Sequence, residues 1–387
     1  MAESGRERIR VMRIIARMNV GGPAVQVSGL MRGFDSSRFD QRLITGYCAA
    51  DESDYLETVA TDITATRING LGRSISPRAD LMAFVQVVRE IRAFRPHVIH
   101  THTAKAGVIG RLASLASGRR SVRVHTYHGH LLHGYFGKFK TLLVISVEKA
   151  LALFTTKLLA VGKKVMEDLL AAGIGRRGKF GVMPPGLHLP DLPTREDACT
   201  MLELNPSLRY GAFIGRVTKI KRPDRFLDVV AELQHQGCDL HFIVAGAGEL
   251  LDYCKERSSN ENLPVTFLGW REDIETVLAA CDLVLLTSDN EGTPLSLIQA
   301  GMARLPIVAT NVGSINEIVL DKETGFLTDL SVSSLAESVM KLASSQSLRE
   351  KMGERAHQYT IQRYGVERLV DDHQKLYEEL LSGRANS

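Results

Sequence analysis

Short apolar runs alternate with longer stretches of helical period along most of the chain. In the first half, 11–16, 42–45, 97–100, 122–127, 158–161 and 180–183 read as buried strands. Between them, 24–34, 80–94, 104–117, 138–154 and 164–172 read as helices. Strands that alternate with helices predict a parallel sheet covered on both faces. The rhythm stops at Pro184-Pro185-Gly186 and stays irregular through Pro190, Pro193 and Pro206, which marks a linker at 186–208. It restarts with strands at 210–214, 240–245, 265–268, 283–287 and 307–310, and helices at 223–235, 248–257, 272–280, 294–303 and 315–320. Beyond residue 328 only helical period remains, ending in 366–381. The 387 residues therefore divide into two doubly wound α/β domains, 1–190 and 191–365, followed by a terminal helix at 366–387.

With 44% apolar and 24% charged residues, the composition is that of an ordinary globular protein and excludes a disordered chain or a collagen. Charge is uneven. Residues 1–190 hold 28 Lys+Arg against 14 Asp+Glu, and the remainder 20 against 30, so the formal +4 of the chain hides a basic half and an acidic half. A basic half points to an anionic partner. Five cysteines, Cys48, Cys199, Cys238, Cys254 and Cys281, show no paired spacing, which disfavours a disulfide framework and fits a reducing cytosol. The arginine-studded segment 1–17 lacks the apolar stretch of a signal peptide. The most apolar stretch, 141–161, is broken by Glu148, Lys149 and Lys157 and is too polar for a clear membrane span.

In doubly wound sheets, ligands bind beyond the carboxyl ends of the strands, here in a cleft between the two domains, so the turns after strands carry the candidate chemistry. Gly21-Gly22 follows the first strand and opens a helix whose free N–H groups suit a phosphate or a sugar oxygen; a plain strand-to-helix turn is the alternative. After the first strand of the second domain come Arg216, a planar fork of donors, and Lys221, a movable point charge; together they can clamp a diphosphate or simply be surface charge. Gly246-Ala247-Gly248-Glu249 can lay its backbone against a nucleotide. The segment from Ser288 to Gln299 is the most informative. Glu291 falls at a strand end, Gly292, Thr293, Pro294 and Leu295 open a helix, and Gln299 follows a little more than one turn on. Four histidines stand within nine residues, His125, His128, His130 and His133, but without the spacing of a zinc site. No Asp-x-Asp is present, which fits a donor site that uses no metal.

In order and spacing, Arg216 with Lys221, Glu291-Gly292-Thr293-Pro294-Leu295 and position 299 resemble the donor site of the retaining glycosyltransferases of family 4, which have the GT-B fold. Gly21-Gly22, the stretch 160–162, Met183-Pro184-Pro185-Gly186, 309–313 and 317–327 are similar to the same family, so the likeness covers nearly the whole chain. The resemblance implies two Rossmann-like domains facing across a cleft. Arg216 and Lys221 would bind the donor diphosphate, Glu291 the donor sugar, and Gly21, Gly22, Gly246, Gly248, Glu249 and Gly292 to Leu295 the rest of the nucleotide-sugar. The family's second Glu, which holds the ribose, is Gln299 here: an acceptor is kept and a charge is lost. His128 resembles the histidine that faces the donor sugar, with His130 and His133 next to the acceptor. Catalysis would rest on His128, Glu291, Arg216 and Lys221.

The implied activity is transfer of a sugar, with retention, from a nucleotide-sugar such as a UDP-sugar to a glycan or a lipid-linked acceptor in surface polysaccharide or glycolipid assembly. No cofactor, resident metal or nucleic-acid partner is expected. The basic, apolar stretch 137–157 adds an anionic membrane surface as a partner and places the protein in the cytoplasm at the inner face of the membrane; a core-packed helix is the alternative. Two other classes stay open: a nucleotide-sugar epimerase of the same fold, and a catalytically silent sugar-nucleotide binding protein.

Overall fold

Seven short strands of the first half lie side by side in one parallel sheet, because the central ones are too apolar to leave either face in water and must be covered by helices on both sides. The computed structural model describes residues 7–129 and 138–385. The chain forms two compact units, residues 1–187 with 364–387, and residues 188–363. The first contains β1 (Ile9–Ile15), α1 (Gly22–Gly33), β2 (Phe39–Thr45), α2 (Tyr55–Thr58), β3 (Ala65–Arg67), α3 (Pro77–Phe94), β4 (Val98–His102), α4 (Ala104–Ala116), β5 (Val122–Tyr127), α5 (Lys138–Phe154), β6 (Lys157–Ala160), α6 (Lys163–Ala171) and β7 (Phe180–Val182). The strand order is β3-β2-β1-β4-β5-β6-β7, every pair parallel.

Alternation along β1 sends Met12 and Ile14 to a core shared with α3 and α4, and Val11 to a second core with Leu30, Phe34 and Phe39. The second core is closed by the chain's last helix, whose Leu369, Val370 and Tyr377 sit in it. At about 1.5–3 kcal/mol per fully buried large apolar side chain, these contacts hold the terminal helix on the first sheet. Its approach requires glycine: a Cβ on Gly33 would stand 2.4 Å from Val370 Cγ2. Arg368 donates to the carbonyls of Pro184 and Pro185, 2.8 Å each, which ties down the irregular stretch that the prolines announce.

The second unit begins with α7 (Arg195–Met201), capped by Thr194, whose hydroxyl accepts from Asp197 N. It continues through β8 (Arg209–Ile214), α8 (Pro223–His235), β9 (Leu240–Ala245), α9 (Leu251–Asn260), β10 (Val265–Gly269), α10 (Ile274–Ala279), β11 (Leu283–Leu286), α11 (Leu295–Met302), β12 (Ile307–Thr310), β13 (Gly325–Thr328), α12 (Val332–Ala343) and α13 (Gln346–Tyr364); α14 (Val366–Ala385) then returns to the first unit. Its sheet runs β10-β9-β8-β11-β12-β13, again all parallel. Phe213, Phe226 and Phe242 pack edge-on and tilted in its core.

Several expectations need correction. Two edge strands, β3 and β13, and the short helices α2 and α7 fall where no element was expected. The helix expected from 248 starts at Leu251, because Gly246 and Gly248 are spent on a backbone crossing described below. The expected helix 315–320 is a single 3-10 turn, Ile315–Glu317. Glu148, taken as an interruption of an apolar stretch, is a core residue: Arg111 Nη2 lies 2.8 Å from both of its oxygens and Tyr127 donates to it at 2.7 Å, which fixes α5 against α4 and β5.

Candidate functional site

In the second unit the turns after β8, β9 and β11 meet at the carboxyl end of the sheet. Gly246 crosses so close to Gly215 that a Cβ on it would stand 1.9 Å from Gly215 O, and one on Gly248 would stand 2.4 Å from Val217 O. Val217 N donates to Ala247 O and Leu250 N to Val217 O, so these two turns form one rigid backbone platform. Lys219 N donates to the Glu249 carboxylate at 3.2 Å. Arg216 leaves this platform exposed to solvent and makes no side-chain bond among the described residues.

Lys221 turns inward instead. Its Nζ lies 2.5 Å from Glu291 Oε1, and Ser288 Oγ donates to the same oxygen at 2.5 Å. Glu291 is 8% exposed and Lys221 13%. The loops that carry them are stitched together: Thr287 Oγ1 donates to the carbonyls of Lys221 and Arg222, Asp289 N donates to Ile220 O, and Arg225 bonds both Thr287 O and Asp289. Behind Glu291, Ser314 N donates to its carbonyl, and Gly313 has φ +57° with room only for hydrogen, since a Cβ would meet Glu291 O at 1.8 Å. The first N–H groups of α11, at Leu295 and Ser296, precede any intrahelical bond. Thr218, Thr293 and Ser314 bury hydroxyls that have no hydrogen-bond partner among the described residues. Gln299 sits half-buried on α11. Cations, helix N–H groups and unsatisfied hydroxyls thus gather where an anionic, hydroxyl-rich ligand finds partners.

In the first unit Gly21 caps α1 and accepts from Ala24 N and Val25 N, with Gly22 as the first helical residue. The face of the sheet under α1 and α14 is polar at this end. In register, Arg13 of β1 neighbours His100 of β4, and His102 neighbours Thr126 of β5. His100 bonds Tyr377 Oη at 2.5 Å and Thr126 Oγ1 at 2.7 Å. His102 stacks on His100 with ring centroids 4.2 Å apart, and its Nδ1 meets His128 Nε2 at 2.9 Å. Burial depresses every one of these imidazoles: His100 and His102 well below their ordinary value, His128 to about 4 and His373 to about 3. His125 points to the opposite face, bonded to Thr101 Oγ1 at 2.8 Å. His130 and His133 lie outside the described residues. Among the described residues, no group of three or more His, Cys, Asp or Glu is placed to hold a metal ion.

Two family models match the chain, one to each unit: a glycosyl transferase 4-like domain over residues 21–186, and glycosyl transferases group 1 over residues 202–359. The chain belongs to the group 1 glycosyl transferases. The UDP-Gal:α-D-GlcNAc-diphosphoundecaprenol α-1,3-galactosyltransferase of Escherichia coli is 25% identical over 339 residues, 85% of this chain and 86% of its own. The capsular polysaccharide biosynthesis glycosyltransferase CapM of Staphylococcus aureus is 21% identical over 342 residues, covering 85% and 89%. Among solved structures, Anabaena Alr3699/HepE in complex with UDP superposes with a TM-score of 0.80 at 21% identity, over 96% of this chain and 100% of its own, which is the GT-B fold.

Of the glycosyltransferase residues expected from the sequence, the second unit brings together Arg216, Lys221, Gly246, Gly248, Glu249 and Glu291 to Leu295, with Gln299 on the same helix. Gly21, Gly22 and His128 belong to the first unit. Sequence reading gave Ser288 no role of its own, although it opens the segment singled out, and missed Thr218 and Ser314, which have no distinctive spacing. It also missed His100 and His102. Their i, i+2 spacing on a strand, which puts both on one face, was the available signal.

Proposed function

We propose that this glycosyltransferase moves a hexose, with retention, from a UDP-sugar to a lipid-linked acceptor. The observation that carries the reading is the Lys221–Glu291 pair beside the exposed Arg216. With Oε1 held by Lys221 and Ser288, Glu291 keeps Oε2 for the hydroxyls of the sugar. Arg216 and Lys221 take the diphosphate, together with the N–H groups that open α11. The acceptor hydroxyl attacks the anomeric carbon on the face that the diphosphate leaves. The C1–O bond breaks toward the β-phosphate, its electron pair goes to that oxygen, and the hydroxyl proton follows it as the new C1–O bond forms. The departing charge is met by the two side-chain cations, so the step needs no resident metal. Gly21, Gly22 and His128 offer hydrogen bonds to substrate oxygens from the first unit.

Two lines support this donor and acceptor. The E. coli relative is named for UDP-galactose and a diphosphoundecaprenol-linked sugar, and HepE was solved with UDP. The outer stripe of α5 also leaves Leu142, Leu143, Leu153 and Phe154 between 52% and 69% exposed, with Lys149 among them, on the basic half of the chain. Such a face suits the surface of an anionic bilayer. Among the described residues no helix is long and apolar enough to cross a membrane. The test is a panel of radiolabelled UDP-sugars, each offered with a lipid-linked and a soluble acceptor. Sugar transferred to lipid supports the reading; an epimerised donor, or uptake without turnover, assigns the chain to the other classes.

A further inference from the structure

We propose that His102 is a positioning residue that makes His128 a hydrogen-bond donor to substrate, by fixing which ring nitrogen of His128 carries the proton. This rests on the reading that His128 touches substrate. His102 Nδ1 lies 2.9 Å from His128 Nε2. Burial keeps both imidazoles neutral at pH 7, so a single proton occupies this contact. Two arrangements are possible, and the far nitrogen of His102 decides between them. His102 Nε2 is buried and has no hydrogen-bond partner among the described residues. If His128 donated, His102 would carry its own proton on Nε2, an orphaned N–H inside the protein. If His102 donates, Nε2 is only a bare lone pair. Orphaned buried donors are the rarer of the two. His102 therefore donates from Nδ1, and His128 carries its proton on Nδ1.

The ring of His102 is not free to turn and undo this. It stacks on His100, which is pinned between Tyr377 Oη and Thr126 Oγ1, with His373 stacked behind it at 5.6 Å. His128 Nδ1 makes no hydrogen bond among the described residues, and the residue as a whole keeps some exposure. The nitrogen it offers is thus an N–H. Its ligand is an acceptor oxygen, a sugar hydroxyl or a phosphate oxygen, and His128 does not serve as a general base.

The experiment labels the histidines of the full chain with ¹⁵N and reads the imidazole nitrogens of His128, assigned by their loss in His128→Gln. The expected spectrum has Nδ1 protonated and Nε2 bare. His102→Asn can keep an amide N–H facing His128, whereas His102→Leu removes it. His102→Leu is expected to populate both tautomers of His128 and to lower kcat by roughly 10- to 100-fold, within the loss expected when one preorganised donor is misplaced, with donor KM within about 2-fold. His102→Asn restores the tautomer and most of kcat. A His128 protonated at Nε2 in the unaltered protein would overturn the proposal, as would equal losses in His102→Asn and His102→Leu with an unchanged tautomer. Absence of turnover with every sugar nucleotide would retire the proposed activity, while the spectrum would still support or overturn the proposal.

Discussion

Lys221 Nζ and Glu291 Oε1 stand 2.5 Å apart although 70 residues separate them, because they occupy the turns after β8 and β11, which are neighbours in the second sheet. The pair serves two ends. It neutralises two nearly buried charges, and it leaves one carboxylate oxygen and part of an ammonium for a ligand. Glu291→Ala strands the ammonium, so stability should fall by about 3 kcal/mol, with less further loss on adding Lys221→Ala than that substitution causes alone. Transfer should fall at least 100-fold in either variant. Urea titration and initial rates check both; additive stability losses would show that the two side chains do not act as a pair.

The buried imidazoles make a prediction about pH. His100, His102, His128 and His373 are held neutral in the fold, with His128 at about 4 and His373 at about 3, against 6.5 when unfolded. Between pH 6.5 and those values the unfolded chain binds more protons, so stability is full above 6.5 and is lost as pH falls, by up to about 1.4 kcal/mol per pH unit for each histidine. Denaturant midpoints of the first unit's transition, followed from pH 7.5 to 5, should drop steadily. A flat profile would contradict the buried cluster.

The exposed stripe of α5 should matter for lipid and not for the fold. Leu142 and Leu153 are 64% and 69% exposed. Leu142→Asp with Leu153→Asp should weaken sedimentation with phosphatidylglycerol vesicles at least 10-fold, since each leucine contributes about 1.5–3 kcal/mol on burial. The melting temperature and turnover of a soluble acceptor should not move. Unchanged vesicle binding would place the membrane contact elsewhere.

Gln299→Glu installs the acid that the resemblance read from the sequence implies at this position. A charged acceptor adds about 1 kcal/mol over a neutral one, so UDP should bind about 5-fold more tightly by calorimetry. Weaker binding would mean that residue 299 does not face the ribose.

The alternation of apolar strand and amphipathic helix was enough to read the inner strands of both sheets and most of their helices, since the inner strands are buried on two faces and each helix on one. What escaped lies at edges and in long-range geometry. β3 has three residues, all only half-buried, so it lacks an apolar run; α7 rests on a Thr194 cap rather than on a long apolar stripe. The residues that gather at the strand ends of the second unit were legible as a cluster because glycine, proline and charge concentrate locally around each strand end. The imidazole stack was not, for His100, Thr126 and Tyr377 meet only through strand register and the return of α14.

Calorimetric titration of UDP into the full chain and into Arg216→Ala decides whether the second unit grips a diphosphate. Arg216 is exposed and bonded to nothing among the described residues, so its loss should change stability by less than about 0.5 kcal/mol. UDP should bind saturably to the full chain and at least 10-fold more weakly to the variant, because a charge-assisted contact to phosphate is lost. Equal affinity in both proteins, or no heat of binding for UDP with folded protein, would contradict it.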